Sequence, residues 1–134
     1  MLKIKQLHLE NFRGFSDTII EFGDHITCIA GVNGAGKSSC LDALAYNLSW
    51  VTEMLKFPPY KNGKYVKPEE KKKDSVSAVK IETTIEVDGD DSTITVGSDF
   101  VPEVKIQFAD QPALQDLFSK IEKTIQKKIE KLSL

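Results

Sequence analysis

The residues Gly31-Val32-Asn33-Gly34-Ala35-Gly36-Lys37-Ser38 form a complete G-x-x-x-x-G-K-S pattern. A short apolar run at 26–30 precedes the pattern and an apolar-periodic segment at 39–55 follows it, which is the strand–loop–helix context of a phosphate-binding loop. Glycines let the backbone curl so that its N–H groups point inward at an anion. The following helix directs its positive end at the same anion. The pattern predicts nucleotide binding, and the plain alternative is a glycine-rich turn before an ordinary helix.

Each position of the loop has an expected task. The backbone of Gly34, Ala35 and Gly36 would surround phosphate oxygens with N–H groups. Lys37 would place a cation against the β- and γ-phosphates, and the hydroxyl of Ser38 would ligate Mg²⁺.

Composition restricts the class of protein. The chain has 134 residues, the size of one domain, with 40% hydrophobic and 28% charged residues. A net charge of −2 argues against a general nucleic-acid polycation. No apolar run approaches the length of a membrane span, and the first residues contain no signal-peptide core, so a cytoplasmic protein without membrane contact is expected. Cys28 and Cys40 lack metal-ligand spacing and are expected to be buried, reduced thiols.

The apolar pattern of the first half predicts two strands, a third strand and a helix. Residues 2–10 alternate between apolar and polar, with a shift of phase at Gln6, and pair with 15–22 through a tight turn in which Gly14 is free to adopt a positive φ. Residues 25–30 are predicted to form the buried strand that leads into the loop. The helix is expected to begin at Lys37 or Ser38 and to end before two prolines. Its predicted apolar stripe consists of Leu41, Leu44, Ala45, Leu48, Val51 or Thr52, and Leu55.

The pattern of the second half predicts antiparallel strands over 76–108 and an amphipathic helix over 110–134. A hairpin turn is expected at 88–91, between two alternating runs. Asp110 or Gln111 would cap the helix. Its apolar stripe would pack on the sheet or form a coiled-coil seam; it consists of Leu114, Leu117, Phe118, Ile121, Ile125, Ile129 and Leu132.

A lysine-rich segment at 56–75 separates the two halves. It holds seven lysines and two acidic residues between Lys56 and Lys73, which predicts an exposed surface loop. Direct DNA binding by these lysines, with Tyr60 and Tyr65 between them, is an alternative to a solvated loop.

Together with the phosphate loop, the stretch Leu7-His8-Leu9-Glu10-Asn11-Phe12-Arg13-Gly14-Phe15 resembles the N-terminal lobe of the SMC/RecF-type ATPases. These ABC-like P-loop proteins include DNA-repair ATPases, chromosome-organising ATPases and phage-defence ATPases of the OLD and AAA-type groupings. The resemblance is strong over residues 1 to about 50 and topological from about 76 to 100. It implies an α/β P-loop NTPase fold of ABC/SMC type, with all of 1–134 in a single ATP-binding lobe. The parts of that lobe are 1–55 with the strands, loop and first helix, the loop at 56–75, the strands at 76–108 and the helix at 110–134.

The resemblance also implies ATP with Mg²⁺ as the ligand and assigns further residues. Arg13, the chain's single arginine, would reach the nucleotide phosphates or couple DNA contact to hydrolysis. A planar guanidinium suits that task because it keeps its charge and forks onto phosphate, although a surface arginine in a turn is the plain alternative. Asn33 would approach the γ-phosphate or a partner's motif, and Ser39 would hydrogen-bond the α-phosphate.

Two motifs of such ATPases are missing from the sequence. No Asp or Glu follows a run of four apolar residues, and no Ser-Gly pair occurs that could cap ATP across a dimer. Gln107 is the only candidate for a glutamine that contacts the metal and the attacking water. The expectation is therefore an N-terminal half, incomplete for hydrolysis, whose partner is a second copy or the C-terminal half of the ATPase. DNA or a nuclease effector would read out its nucleotide state.

Two other functions fit the same residues. The chain could be a non-catalytic module that senses nucleotide or binds a partner. A small P-loop kinase is disfavoured, because no arginines are available for a lid.

Overall fold

A computed structural model describes residues 2–23, 34–55, 63–72, 78–99 and 106–132. These ranges contain five strands, two α-helices and one short 3₁₀ turn, Pro68–Glu70. In chain order they are β1 (Leu2–Phe12), β2 (Phe15–Glu21), α1 (Gly34–Leu55), β3 (Val79–Val87), β4 (Asp90–Asp99), β5 (Ile106–Ala109) and α2 (Gln111–Leu132). The predicted strand at 25–30 and residues 31–33 of the phosphate loop lie outside the described residues.

The strands form one antiparallel sheet in the order β2-β1-β3-β4-β5. Helix α1 packs on β3 and β4, and α2 packs on the same two strands and on α1. The core lies between this face of the sheet and the two helices. Within the described residues, the opposite face carries mostly polar side chains, together with the exposed Ile19. This arrangement has the predicted two hairpins and C-terminal helix.

The phase shift predicted at Gln6 is a β-bulge. Ile4 pairs with Ile85 and Gln6 pairs with Thr84, so one extra residue of β1, Lys5, lies between two successive pairs. A bulge returns the following apolar side chains to the core face. Leu7 and Leu9 are consequently fully buried.

The predicted turn between β3 and β4 is confirmed. Asp88 and Gly89 have φ of 50° and 87°, and Val87 pairs directly with Asp90. Positive φ at both central residues is the twist that a two-residue hairpin requires, and the Asp-Gly dipeptide supplies it at low cost. Every second residue of β3 is buried, as the alternation predicted.

Helix α1 differs from its prediction at its start and on its buried face. It begins at Gly34 instead of Lys37 or Ser38. Apolar periodicity cannot detect this first turn, because the turn contains no large apolar side chain. The predicted stripe is also wrong in part, since Leu41 is 52% exposed. Among the side chains of α1 that the structure describes, the buried ones are Ser39, Cys40, Ala43, Asn47, Trp50 and Val51.

Asn47 is a polar residue at the centre of this buried face. Its amide nitrogen donates to the hydroxyl of Thr83 at 2.5 Å and to the carbonyl of Ile81 at 3.2 Å, while its amide oxygen has no partner. Directional hydrogen bonds fix a register that apolar contacts alone leave free. Asn47 therefore sets the position of α1 along β3.

Helix α2 has the predicted cap and half of the predicted packing. The backbone N–H of Ala113 donates to Asp110 Oδ1 at 3.1 Å, so Asp110 is the N-cap. Leu114, Leu117 and Ile121 are buried, whereas Ile125 and Ile129 are about half exposed. The stripe packs on the sheet only in its first half. Among the described residues, neither helix combines the length and apolar character that crossing a bilayer demands.

Residues 63–72 form what we call the docked segment. The lysines predicted an exposed loop here, but Val66 is fully buried. The carbonyl of Lys64 accepts from the indole Nε1 of Trp50 at 3.0 Å, and that of Val66 accepts from Ser98 Oγ at 3.1 Å. The segment starts beside Trp50, near the end of α1, and runs back along the helix. Tyr65 packs edge-on against Trp50, with ring centroids 5.0 Å apart, so it does not support base stacking in a DNA-binding loop.

His8 lies among three carboxylates on the polar face of the sheet. Its Nε2 is 2.5 Å from Asp17 Oδ1 and 3.7 Å from Glu10 Oε1, and its Nδ1 is 3.8 Å from Glu82 Oε2. Glu10 also pairs directly with Asp17 across β1 and β2, which is a repulsive pair when both are charged. The hydrogen bond to Asp17 and the charges of Glu82 and Glu10 raise the pKa of His8 above its usual value, although partial burial opposes this shift.

We expect replacement of Gly63 by alanine to destabilise the fold. A Cβ at this position would lie 2.5 Å from Cγ and 2.6 Å from the backbone nitrogen of Trp50. The backbone of a packed helix cannot yield cheaply, so a cost of about 1–3 kcal/mol is expected. Chemical unfolding of Gly63→Ala and of the control Gly23→Ala, whose Cβ meets nothing within 4 Å, measures it. Equal stability of the two variants would show that the docked segment is not packed closely against Trp50.

The stability contributed by His8 should depend on pH. Because its pKa is raised in the folded chain, the contribution is complete below the unfolded value of about 6.5 and is lost as the pH rises through the folded pKa. Asp17 is largely exposed, so the gain should not exceed about 1 kcal/mol. Unfolding of wild type and His8→Gln at pH 6 and pH 8.5 tests this. The free energy of unfolding of wild type should exceed that of the variant by more at pH 6 than at pH 8.5. A difference that is constant with pH would contradict this prediction.

Candidate nucleotide-binding site

The start of α1 has the properties of an anion site. Residues Gly34 to Lys37 of the phosphate loop are helical and form the first turn. The first backbone N–H groups of a helix have no partner within the helix, and the helix dipole adds positive potential there. The first turn contains no acidic residue that would occupy this potential. Ser38, the predicted Mg²⁺ ligand, is exposed at this end, whereas Ser39 is buried.

Arg13 lies in the turn between β1 and β2 with a strained backbone. Arg13 has φ of 52° and Asn11 has φ of 55°, so the positive φ expected of Gly14 is found at these two earlier residues instead. The left-handed conformation costs a residue with a Cβ about 1–2 kcal/mol, and asparagine tolerates it best. The amide of Asn11 offsets part of this cost by donating to the carbonyl of Ala78 at 3.0 Å.

The docked segment ends on this turn. The backbone N–H of Arg13 donates to the carbonyl of Glu70 at 2.6 Å, and that of Lys72 donates to the carbonyl of Asn11 at 2.8 Å. Phe12 and Lys71 form an isolated antiparallel bridge between these bonds. The turn is therefore held from outside the hairpin, which accounts for the persistence of its strained backbone.

The guanidinium of Arg13 connects the docked segment to α1. Its Nε and Nη2 each lie 2.8 Å from Oε2 of Glu70. Its Nη1 donates to Asp42 Oδ2 at 2.8 Å and to Ser39 Oγ at 3.2 Å. The charge also lies 5.1 Å from the ring centroid of Phe12, within the range of a cation–π interaction.

These contacts keep Arg13 charged. Burial of the guanidinium disfavours the charge, but the hydrogen bond to Asp42 and the negative charge of Glu70 outweigh burial, so the pKa of Arg13 lies above its usual value. A permanent cation thus lies beside the residue that follows Ser38 in the chain. Arg13 thus places a positive charge against the second turn of α1.

A cleft of about 180 Å³ opens between α1 and the docked segment. Its lining consists of Arg13, Asp42, Ala45, Tyr46, Lys64 and Lys67. Three of these six side chains are cationic, so the cleft favours an anionic or polar occupant. Burial raises the pKa of the Tyr46 hydroxyl, which therefore stays neutral in this cleft.

The structure brings some of the predicted site residues together. Arg13 and Ser39 are in contact, and Ser38 adjoins them on α1. Gln107 lies on β5, paired with Ser98, but its side chain is outside the described residues, as are the side chains of Gly34 to Lys37 and all of Asn33. The sequence analysis missed Asp42 and Glu70. Asp42 follows Ser38 by one helical turn, a spacing that would have revealed it, whereas nothing in the sequence connects Glu70 to Arg13.

Residues 6–134 match a protein family described as an AAA domain. The chain belongs to this AAA domain family. A DNA double-strand break repair Rad50 ATPase of Pyrococcus abyssi is 31% identical over 133 residues, covering 92% of this chain and 14% of that protein. The retron Ec83 probable ATPase of Escherichia coli is 38% identical over 56 residues, which is 40% of this chain and 10% of that protein.

The fold has a solved counterpart. The structure of the recombination mediator protein RecF with ATP, from the RecFOR pathway, superposes with a TM-score of 0.57 and 23% identity, over 81% of this chain and 27% of that one. These similarities confirm the predicted resemblance: the chain is the N-terminal lobe of an SMC/RecF-type, ABC-like ATPase domain. It spans a small part of the length of each relative.

Proposed function

We propose that this lobe binds ATP with Mg²⁺ at the N-terminus of α1. The phosphates would lie against the backbone N–H groups of the loop and the first helical turn, Lys37 would contact the β- and γ-phosphates, and Ser38 would ligate the metal. Asn33 and Ser39 would complete the contacts to the γ- and α-phosphates. Gln107, from β5, would be a further metal contact.

One observation carries the proposal: Arg13 Nη1 lies 3.2 Å from Ser39 Oγ. Arg13 and the phosphate loop were predicted from two separate stretches of sequence, and the contact of Arg13 with Ser39, in the second turn of the loop's helix, supports a shared site. An arginine held beside a helix N-terminus provides a second positive group for the same anion.

The full ATP site would need a second protein surface. A second copy or the C-terminal half of the ATPase would cap the nucleotide, and DNA or an attached effector such as a nuclease would respond to closure. The similarity to a DNA double-strand break repair ATPase supports a role in DNA repair, and a role in phage defence is the alternative within the same group.

Binding of ATP–Mg²⁺ should depend on Lys37. Isothermal titration should give a dissociation constant at least about tenfold higher for Lys37→Ala than for wild type, since a charge-assisted phosphate contact is removed. Lys128→Ala is the matched control, because Lys128 is exposed on α2, outside the proposed site. Equal affinities of wild type and Lys37→Ala would refute the proposed site and would favour a module in which the loop only maintains the fold.

Hydrolysis should require the missing groups. No Asp or Glu of this chain follows an apolar run as the water-orienting carboxylate of such ATPases does, so the purified chain should show no steady-state phosphate release. Turnover should appear when a polypeptide that carries the second lobe is added. Sustained phosphate release by the chain alone, abolished by Lys37→Ala, would overturn this part of the proposal.

A further inference from the structure

We propose that the two carboxylates on Arg13 have opposite effects on nucleotide binding: Glu70 positions the guanidinium, and Asp42 competes with the nucleotide for it. The inference rests on the proposed ATP site and adds a regulatory contact to it. Both carboxylates contact Arg13, but they hold it in different ways.

Glu70 has the features of a permanent anchor. Its carboxylate is only 12% exposed and receives both Nε and Nη2, each at 2.8 Å. Its backbone carbonyl accepts the N–H of Arg13 at 2.6 Å, so the same residue holds the main chain and the side chain. An ion pair this enclosed is screened little by solvent, and breaking it would leave a buried charge without a partner.

Asp42 has the features of an exchangeable partner. Its side chain is 54% exposed and, among the described residues, accepts one hydrogen bond, from Arg13 Nη1 at 2.8 Å. An exposed ion pair of this kind contributes little, because water can replace either partner at small cost. Asp42 can therefore leave Arg13 while Glu70 remains.

The nitrogen at issue is Nη1. A guanidinium has five N–H donors, two of them on each terminal nitrogen. The two on Nη1 are directed at Asp42 and Ser39 on α1, while the Nε and Nη2 side is held by Glu70. Because Nη1 is the nitrogen that contacts α1, a phosphate bound at the start of α1 would compete for Nη1. It can gain a short bond to Arg13 only by taking a donor that Asp42 or Ser39 now holds.

Charge favours displacement of Asp42 over displacement of Ser39. The Asp42 carboxylate shares Nη1 with Ser39 Oγ, so it lies close to the position of an incoming phosphate. Two anions on one nitrogen repel each other, whereas a hydroxyl can remain as a neutral acceptor or donate to the phosphate. ATP binding would thus exchange one carboxylate for a phosphate and keep the other carboxylate in place.

The two carboxylates can be tested by isosteric substitutions. Asp42→Asn removes the competing charge and should lower the dissociation constant for ATP–Mg²⁺ by about twofold to fivefold, the range of an exposed ion pair. Glu70→Gln weakens the anchor and should raise the dissociation constant. Glu122→Gln is the control, because it makes the same change of net charge on an exposed part of α2. Thermal unfolding is recorded for each variant in parallel.

A double-mutant cycle with Arg13→Ala separates this inference from a general effect. Without the guanidinium, Asp42→Asn should no longer tighten binding beyond the Glu122→Gln control. Unchanged or weaker binding by Asp42→Asn, or a gain that persists in Arg13→Ala, overturns the competition. If Glu70→Gln does not fold, Asp42→Asn still decides, since its side chain is half exposed.

The same titrations distinguish this inference from the proposed function. If wild type binds ATP, Lys37→Ala loses binding and Asp42→Asn binds no more tightly than wild type, the ATP site stands and the competition by Asp42 is rejected. Wild type that does not bind ATP rejects both.

Discussion

The charge of Arg13 connects three segments that are distant in the chain. The turn between β1 and β2 supplies the guanidinium, α1 supplies Asp42 and Ser39, and the docked segment supplies Glu70. Without this cation, two carboxylates would lie close together beside the N-terminal half of α1. The ion pairs of Arg13 therefore add to the hydrogen bonds from Trp50 and Ser98 that hold the docked segment, and Arg13 also lines the cleft beside α1. Lysine could not replace it, because a single ammonium cannot present separate edges to two carboxylates and a hydroxyl.

The magnitudes of these interactions decide which contacts are fixed. A left-handed φ at Arg13 costs about 1–2 kcal/mol, which an exposed pair with Asp42 alone would not offset. The rest of this cost is offset by the enclosed ion pair with Glu70, by the two backbone hydrogen bonds to the turn and by the hydrogen bond from the side-chain amide of Asn11. Strain of this kind persists where several contacts over-determine the backbone, and such places are frequently functional. Here the strained residue is also the one directed at the phosphate loop's helix.

Sequence patterns predicted the features that depend on local chemistry. The bulge after Ile4, the Asp88-Gly89 turn and the Asp110 cap each follow from a few adjacent residues. Features that depend on distant contacts escaped prediction. The lysines of the docked segment predicted exposure to solvent, yet Val66 is buried because Trp50 donates to the carbonyl of Lys64 and Ser98 donates to the carbonyl of Val66. Leu41 appeared to be a core residue, but the face of α1 that meets the sheet is the one with Asn47, whose amide needs acceptors on β3. In the candidate site, the resemblance of the stretch around Arg13 to the SMC/RecF-type ATPases implied an arginine near the loop, whereas its anchor Glu70 is brought there only by the tertiary fold.

The place of β1 in the sheet has a consequence for how the chain acquires its structure. β1 is synthesised before the other described strands, but it lies between β2 and β3, and β3 is synthesised only after the whole of α1 and the docked segment. Loop closure over such a separation costs entropy before any contact repays it, so this pairing should form late. Until then the apolar side of β1, with Leu7 and Leu9, lacks its cover. A nascent lobe on the ribosome would thus expose an unpaired strand edge for much of its synthesis, and this is the stage at which it is most open to aggregation or to assistance by a chaperone.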